Sequence, residues 1–195
     1  SHPDLLDWLA VEFRDGGQSM KKLHKLILTS SVYRQSSLHN KRNKEIDSGN
    51  VYLWRMNRRR ITAEELRDAV LVVSGKLNRT MYGPGFRLFV LERPEHSPHY
   101  EYHKHNPDDP KSHRRSIYRF IVRSQPDPFM TTLDCADSSQ SVAKRDETVT
   151  ALQALSLLNN KFMLHMAKEF AKRIESEFED PTERVERAFE LVTGH

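Results

Sequence analysis

Between Leu152 and Phe178 apolar residues recur every three or four positions: Leu152, Leu155, Leu158, Phe162, Met166, Phe170, Ile174 and Phe178. That spacing puts them on one side of a helix of 3.6 residues per turn and does not fit the two-residue alternation of a half-buried strand. Thr150 and Gln153 open the run as a capping box, the hydroxyl accepting the amide three residues on and the Gln side chain reaching back. Asn159-Asn160 interrupts it with residues that tolerate left-handed backbone, so the pattern predicts a helix over 151–178 with a kink or break at that pair. Asp180-Pro181-Thr182-Glu183 then caps a final helix with the stripe Val185, Ala188, Phe189 and Val192. A chain that ends in this way is mainly α.

The first third repeats the theme. Leu5, Leu6, Trp8, Leu9, Val11 and Phe13 follow Pro3 in a helical pattern that stops at Gly16-Gly17. Ser19 caps a second helix with Met20, Leu23, Ile27 and Ser30 or Ser31 on one face and Lys21, Lys22 and Lys25 on the other. Ser36 to Asn50 is polar and aperiodic, which predicts a surface loop. Thr62-Ala63-Glu64-Glu65 is another capping box, and Leu66, Ala69, Val70, Val73 and Leu77 form the buried stripe of the helix it opens, with Gly75 near the end. Arg58-Arg59-Arg60 stand just before that positive helix end, where Glu64, Glu65 and Asp68 are the nearest compensating carboxylates.

From Tyr82 to Ser116 the chain carries Gly83, Pro84, Gly85, Pro94, Pro98, Pro107 and Pro110, which excludes long helices and predicts a turn-rich loop over about 82–116. Loops of that length in a compact domain tend to be functional. Ile117, Tyr118, Phe120, Ile121 and Val122 suit a short strand or extended core segment, which Phe129 to Leu133 can pair with across Pro126-Asp127-Pro128. The expected fold is therefore a mainly α single domain over 1–195. It has about five helices, a small extended or two-stranded β element at 116–134 and a long surface loop, with helices 63–77 and 151–178 supplying most of the core.

Composition narrows the class. With 37% hydrophobic residues, 30% charged, nine Pro and seven Gly in 195 residues, the chain is neither disordered nor fibrous. The longest apolar runs, such as Val70 to Val73, are far short of the ~20 residues that span a bilayer. A single Cys135 excludes an internal disulfide, a CxxC pair and a CxxCH haem-attachment site within the chain. The start, Ser1-His2-Pro3-Asp4, carries no charged and apolar leader, so an export signal is expected to lie outside these residues. The net charge of +4 is uneven, with a basic excess before residue 126 and an acidic excess after it. Either the two parts pack together and neutralise, or a basic face meets an anionic partner.

Three constellations and one lone cysteine can carry chemistry. His99, His103 and His105, with Glu95 or Asp108 as an oxygen ligand, have a spacing that can hold zinc or another transition metal through neutral imidazoles, while His96 and His113 lie nearby. The competing reading is a hydrophilic loop that is simply rich in His. Asp134, Asp137, Asp146 and Glu147 invite acid/base or cation binding, against pairing with Arg114, Arg115, Arg119, Arg123 and Arg145. Cys135 is a nucleophile candidate only as the sole cysteine. Arg58, Arg59, Arg60, Arg114 and Arg115, with Tyr52, Trp54 and Tyr118 near in sequence, can form an anion- or partner-binding surface or serve as partly buried ion pairs.

Four stretches taken together resemble a known family: Ser1 to Ala10 (SHPDLLDWLA), Thr29 to Ser37 (TSSVYRQSS), Arg58 to Ala69 (RRRITAEELRDA) and Thr150 to Asn160 (TALQALSLLNN), with Arg114 to Tyr118 and Leu133 to Asp137 also in keeping. They are similar to the planctomycete-type C-terminal domain of unknown function fifteen-fifty-three. The resemblance implies an accessory or interaction module of an exported bacterial, cytochrome-associated multidomain protein, periplasmic or on the cell surface. By the same resemblance any haem is expected in an upstream segment, and the family domain is expected to extend past both ends of these residues. The implied partners are companion domains of the same polypeptide or an extracellular polysaccharide, and export makes nucleic acid the least favoured. The alternative is a metal-dependent or carboxylate-dependent enzyme domain acting on polysaccharide or in redox chemistry. Family members that lack a Cys at position 135 weigh against a catalytic thiol, and the resemblance transfers no catalytic residue.

Overall fold

A computed structural model describes residues 2–93 and 97–194. The chain forms two compact units, Ser1–Arg60 and Ile61–His195. Among the described residues there are eight α-helices, one two-stranded antiparallel sheet and three short 3-10 turns, a mainly α protein.

In the first unit α1 (Pro3–Asp15) and α2 (Met20–Thr29) pack on each other. The bend between them is carried by Gly17 at φ 81° and Gln18 at φ 57°. The Ser19 side chain caps α2 by accepting from the Lys22 amide. Of the expected stripe, Leu23, Ile27 and Ser30 are half-buried and Met20 is exposed. The polar stretch after residue 36 differs from expectation: it contains a short helix, α3 (Lys41–Ile46), because the Asn40 side chain accepts from the Asn43 amide and supplies an N-cap. Buried Asp47 ends α3 and organises the turn at residues 50–54, its carboxylate accepting from the amides of Val51 and Tyr52 while its carbonyl accepts from the Trp54 indole.

In the second unit α4 (Ala63–Val73) starts from the expected capping box, with Glu65 bonding back to Thr62. Gly75 at φ +75° ends it, and Arg173 closes the end by donating to the Val73 carbonyl at 2.8 Å. The β element lies elsewhere than expected. Strands β1 (Val90–Glu92) and β2 (His99–Glu101) pair inside the long loop, with Leu91 opposite Tyr100. Phe89 beneath them is buried and meets Tyr100, Tyr102 and Phe120 edge-on at 5.0, 5.5 and 6.1 Å.

Segment 116–123 is a 3-10 turn followed by extended chain, and it pairs with Phe86 rather than with 129–133: Phe86 donates to the Tyr118 carbonyl and Phe120 to the Phe86 carbonyl. This approach depends on Gly85, because a Cβ there would stand 2.8 Å from the Tyr118 carbonyl oxygen. Residues 128–132 form a helix, α5 (Pro128–Thr132), because Asp127 caps it through the Phe129 amide and Pro128 occupies its first turn. Ala63, Met130 and Leu133 form a buried cluster there, against Leu66, Phe129, Cys135 and Leu157.

The predicted 151–178 helix is two helices, α6 (Ala151–Asn159) and α7 (Lys161–Glu177). Asn160 breaks it in an extended conformation, φ −65° and ψ 134°, not a left-handed one, and its side chain caps α7 through the Phe162 amide. Met166 and Ile174 of α7 are buried with Leu71 of α4, and α8 (Pro181–Thr193) starts from its Asp180 cap. The expected helices supply Ala63, Leu71, Met166 and Ile174 but not most of the core: Phe86, Phe89, Val122, Met130 and Leu133 come from elsewhere, and Leu152, Leu155 and Leu158 of the predicted stripe are exposed.

Candidate functional site

The most buried face of α4 runs through Ala63, Arg67, Leu71 and Ser74, at spacings of four, four and three. An arginine therefore stands at the centre of a buried stripe. Its side chain is 2% exposed. It survives there because its donors are used: Arg67 donates to the carbonyls of Ser112 and Arg114 and to the Ser116 hydroxyl, with Asp68 at 3.6 Å. Phe86 and Phe162 lie against the guanidinium, centroids at 4.9 and 5.6 Å. Burial pulls the group down to about 10, so it stays charged at neutral pH. Asp68 completes the tie by accepting from the Ser116 amide and hydroxyl. This network fastens the end of the long loop to α4.

Beside Arg67 opens a cleft of about 410 Å³. Tyr102 and His103 from a 3-10 turn, His105, Asp127 and Phe129 at the start of α5, and Asn159 to Phe162 at the α6–α7 junction all line it, with Leu88, Pro107 and Pro128. Phe129 and Phe162 approach with centroids 6.3 Å apart and a 57° tilt. Lys161 stands in the first turn of α7 and donates to the His105 carbonyl at 3.2 Å. His105 Nε2 is buried without a hydrogen-bond partner among the described residues, and burial holds this imidazole below its usual range and so neutral. The Tyr102 phenol donates to the Gln125 carbonyl and burial pushes it up to about 12. Asp127 is the one carboxylate on the wall among the described residues. Burial raises its carboxyl, opposed by Arg119 at 3.8 Å and by two amides of α5.

Asp127 and Arg119 also line a second cavity, of about 330 Å³, beside Cys135. The thiol lies 3.4 Å from a Glu64 carboxylate oxygen and 3.4 Å from an Arg119 nitrogen. Burial and the Glu64 charge push it above its ordinary range, the reverse of what a nucleophilic cysteine needs. Glu64 in turn pairs with Arg145 at 2.6 Å. Of the four carboxylates considered for acid/base or cation work, Asp134 and Asp137 hold loops. Asp134, at φ +60°, accepts from the Thr148 amide and hydroxyl and from Gln153, which clasps the loop before α6 onto the end of α5. Asp137 accepts from the Ser139 amide and hydroxyl and from Gln140.

The histidines expected as metal ligands are distributed. His99 is on β2, His103 is exposed with Nδ1 3.2 Å from Glu101, and His105 lies on the cleft wall, so the cleft brings together His103 and His105 but not His99. Glu95 and His96 lie outside the described residues. Among the described residues no group of three His, Cys, Asp or Glu side chains is placed to hold a metal ion. His113 is buried and bonds the Pro107 carbonyl at 2.8 Å, a structural role. Of the arginines, Arg58, Arg59 and Arg60 end the first unit in irregular chain. Arg114 and Arg115 belong to the second. Arg114 stacks on Tyr118 at 3.9 Å and its two terminal nitrogens donate to the carbonyls of Thr80, Tyr82 and Pro84, while exposed Arg115 reaches Met81.

Sequence reasoning missed Arg67, Asp127, Lys161 and the aromatic pair as one site. A signal existed for two of them: Ala63, Arg67 and Leu71 are spaced as a helix face, and Asp127-Pro128 repeats the Asp-Pro cap recognised at Asp180-Pro181.

No helix among the described residues is long and apolar enough to cross a membrane. Comparison with curated proteins and with solved structures finds no match to this chain. The pattern of stretches that suggested a family is borne out over its full length: residues 1–195 match the family described as PSD1, protein of unknown function (DUF1553), and the chain belongs to it.

Proposed function

We propose that the chain is a non-catalytic binding module of an exported bacterial multidomain protein, and that the cleft between α4, α5 and the α6–α7 junction is its ligand site. One observation carries this reading: three ionisable groups of the cleft, Arg67, Asp127 and Tyr102, are spent on holding the fold, around a wall that is largely apolar. Arg67 ties down the loop, Asp127 caps α5 and the Tyr102 phenol is bonded and pushed up to about 12. A cavity of about 410 Å³ with three aromatic rings and a few polar groups has the size and lining of a small-molecule pocket.

Export, and a cytochrome c-like segment upstream that carries any haem, rest on the family resemblance of the sequence stretches. Companion domains of the same polypeptide are the proposed macromolecular partners. The apolar stripes of α6 and α8 suit their docking, since Leu152, Leu158, Val185 and Phe189 are each more than 60% exposed.

The test is a ligand-observed NMR screen of small cyclic compounds against the wild-type chain and against Phe162→Trp, which fills the cleft. Hits whose signal is lost in the variant support the reading; hits that bind both proteins equally, or none at all, count against it. A second reading, carboxylate-dependent hydrolysis, is favoured by the raised carboxyl of Asp127 and its place on both cavities. Turnover of chromogenic glycosides that Asp127→Asn abolishes would establish it.

A further inference from the structure

The ligand class of the cleft can be drawn from the placement of its charges, and this step rests on the binding reading above. On the apolar side, Phe129 and Phe162 meet at a tilt and Leu88, Pro107 and Pro128 extend the wall, which offers a flat ring a surface, while Ser112, Asn159 and Asn160 add polar groups to the lining. The carboxylate on that wall, Asp127, is answered by Arg119 at 3.8 Å and by the α5 amides, so its charge is locally balanced. The mouth is different. Lys161 is exposed and, among the described residues, bonds a neutral carbonyl, and it sits at the positive end of α7, a helix of 17 residues. His105 adds a buried ring nitrogen with no hydrogen-bond partner among those residues.

We infer that the cleft binds a small ring-bearing carboxylate, of about naphthoate size, with its ring against Phe129 and Phe162 and its carboxylate at Lys161 and the amino-terminal turn of α7. A negative group there gains from the ammonium and from the helix end, while the ring leaves water against aromatic walls. A sugar acid shares the carboxylate but would turn part of its hydroxyl surface against the apolar side chains Leu88, Pro107, Phe129 and Phe162.

The experiment is an amide-resolved NMR titration of the 195-residue chain with 2-naphthoate, with neutral 2-naphthamide and with glucuronate. Naphthoate is expected to shift the amides of Lys161, Phe162 and His105. Naphthamide should bind about three- to fivefold more weakly, as loss of one partly exposed ionic contact predicts. Lys161→Gln should weaken naphthoate by a similar factor and leave naphthamide unchanged. Naphthamide binding the cleft as tightly as naphthoate, or no effect of Lys161→Gln, overturns the carboxylate assignment while leaving the cleft a binding site. Glucuronate binding more tightly than naphthoate replaces the apolar ring with a sugar acid and overturns the assignment as well. Failure of all three to move the cleft amides overturns it together with the binding reading.

Discussion

Replacing Arg67 with methionine should unfasten the loop from α4 without emptying the space. The side chain holds two carbonyls and a hydroxyl and stands 3.6 Å from Asp68, all on residues that stay in place when it is removed. Exchanging a whole buried ion pair for apolar groups can be neutral, but removing one partner costs about 3–5 kcal/mol because the others are left buried without a donor. Methionine recovers part of the packing against Phe86 and Phe162, so the expected loss is about 3 kcal/mol. For a chain of this size that corresponds to a fall of about 6–12 °C in Tm. Arg67→Lys keeps the charge but cannot span the same acceptors, and should lose about half as much. Urea unfolding followed by circular dichroism measures the loss. Amide hydrogen exchange locates it, with the amides of Asn78 and Ser116 expected to lose protection, since they bond the His113 carbonyl and Asp68. A Met variant within about 1 kcal/mol of wild type, or a loss with unchanged protection at those amides, would refute the claim that Arg67 is the tie.

The same structure sets three further outcomes. The Asp127 carboxyl lies above its unfolded value, so the folded state binds the extra proton and stability falls as pH rises through the interval between the two values. Asp127→Asn, which keeps the cap, should therefore gain stability relative to wild type as pH rises from about 4 to 7; urea midpoints at the two pH values check it, and a relative loss contradicts it. Cys135, pushed up by burial and by Glu64, should alkylate with iodoacetamide more slowly than a free thiol at about pH 8, and Glu64→Gln should speed it; a rate equal to that of glutathione would show the thiol to be ordinary. Gly85→Ala places a Cβ 2.8 Å from the Tyr118 carbonyl oxygen and should cost about 1–3 kcal/mol, read by thermal unfolding, whereas an unchanged Tm would mean that the two segments part freely.

How much of this is legible in the sequence depends on how local the cause is. Capping boxes at Thr62 and Thr150 and the cap at Asp180 act within four residues, and each helix they open begins where the pattern places it. The break at Asn159-Asn160 is also local, although Asn160 makes it by capping α7 rather than by turning left-handed. The 116–134 element fails because its aromatic and β-branched residues satisfy an extended segment equally well, and which segment it pairs with is decided by Gly85 and Phe86, some thirty residues away.

The α4 stripe is half legible. Leu66, Val70 and Val73 are indeed partly buried, but Ala69 is exposed and the deepest face includes Arg67, which hydrophobic periodicity discards as polar. The cleft is least legible of all. Its residues come from five separate stretches, and only the packing of α4, α5 and α7 around the 102–113 turns brings them together.

The most direct test of the cleft as a binding site is a crystal structure of the protein soaked with 2-naphthoate. The ring is expected against Phe129 and Phe162, with its carboxylate toward Lys161. A cleft left without the ligand while 2-naphthoate occupies the exposed stripes of α6 or α8 would contradict the assignment.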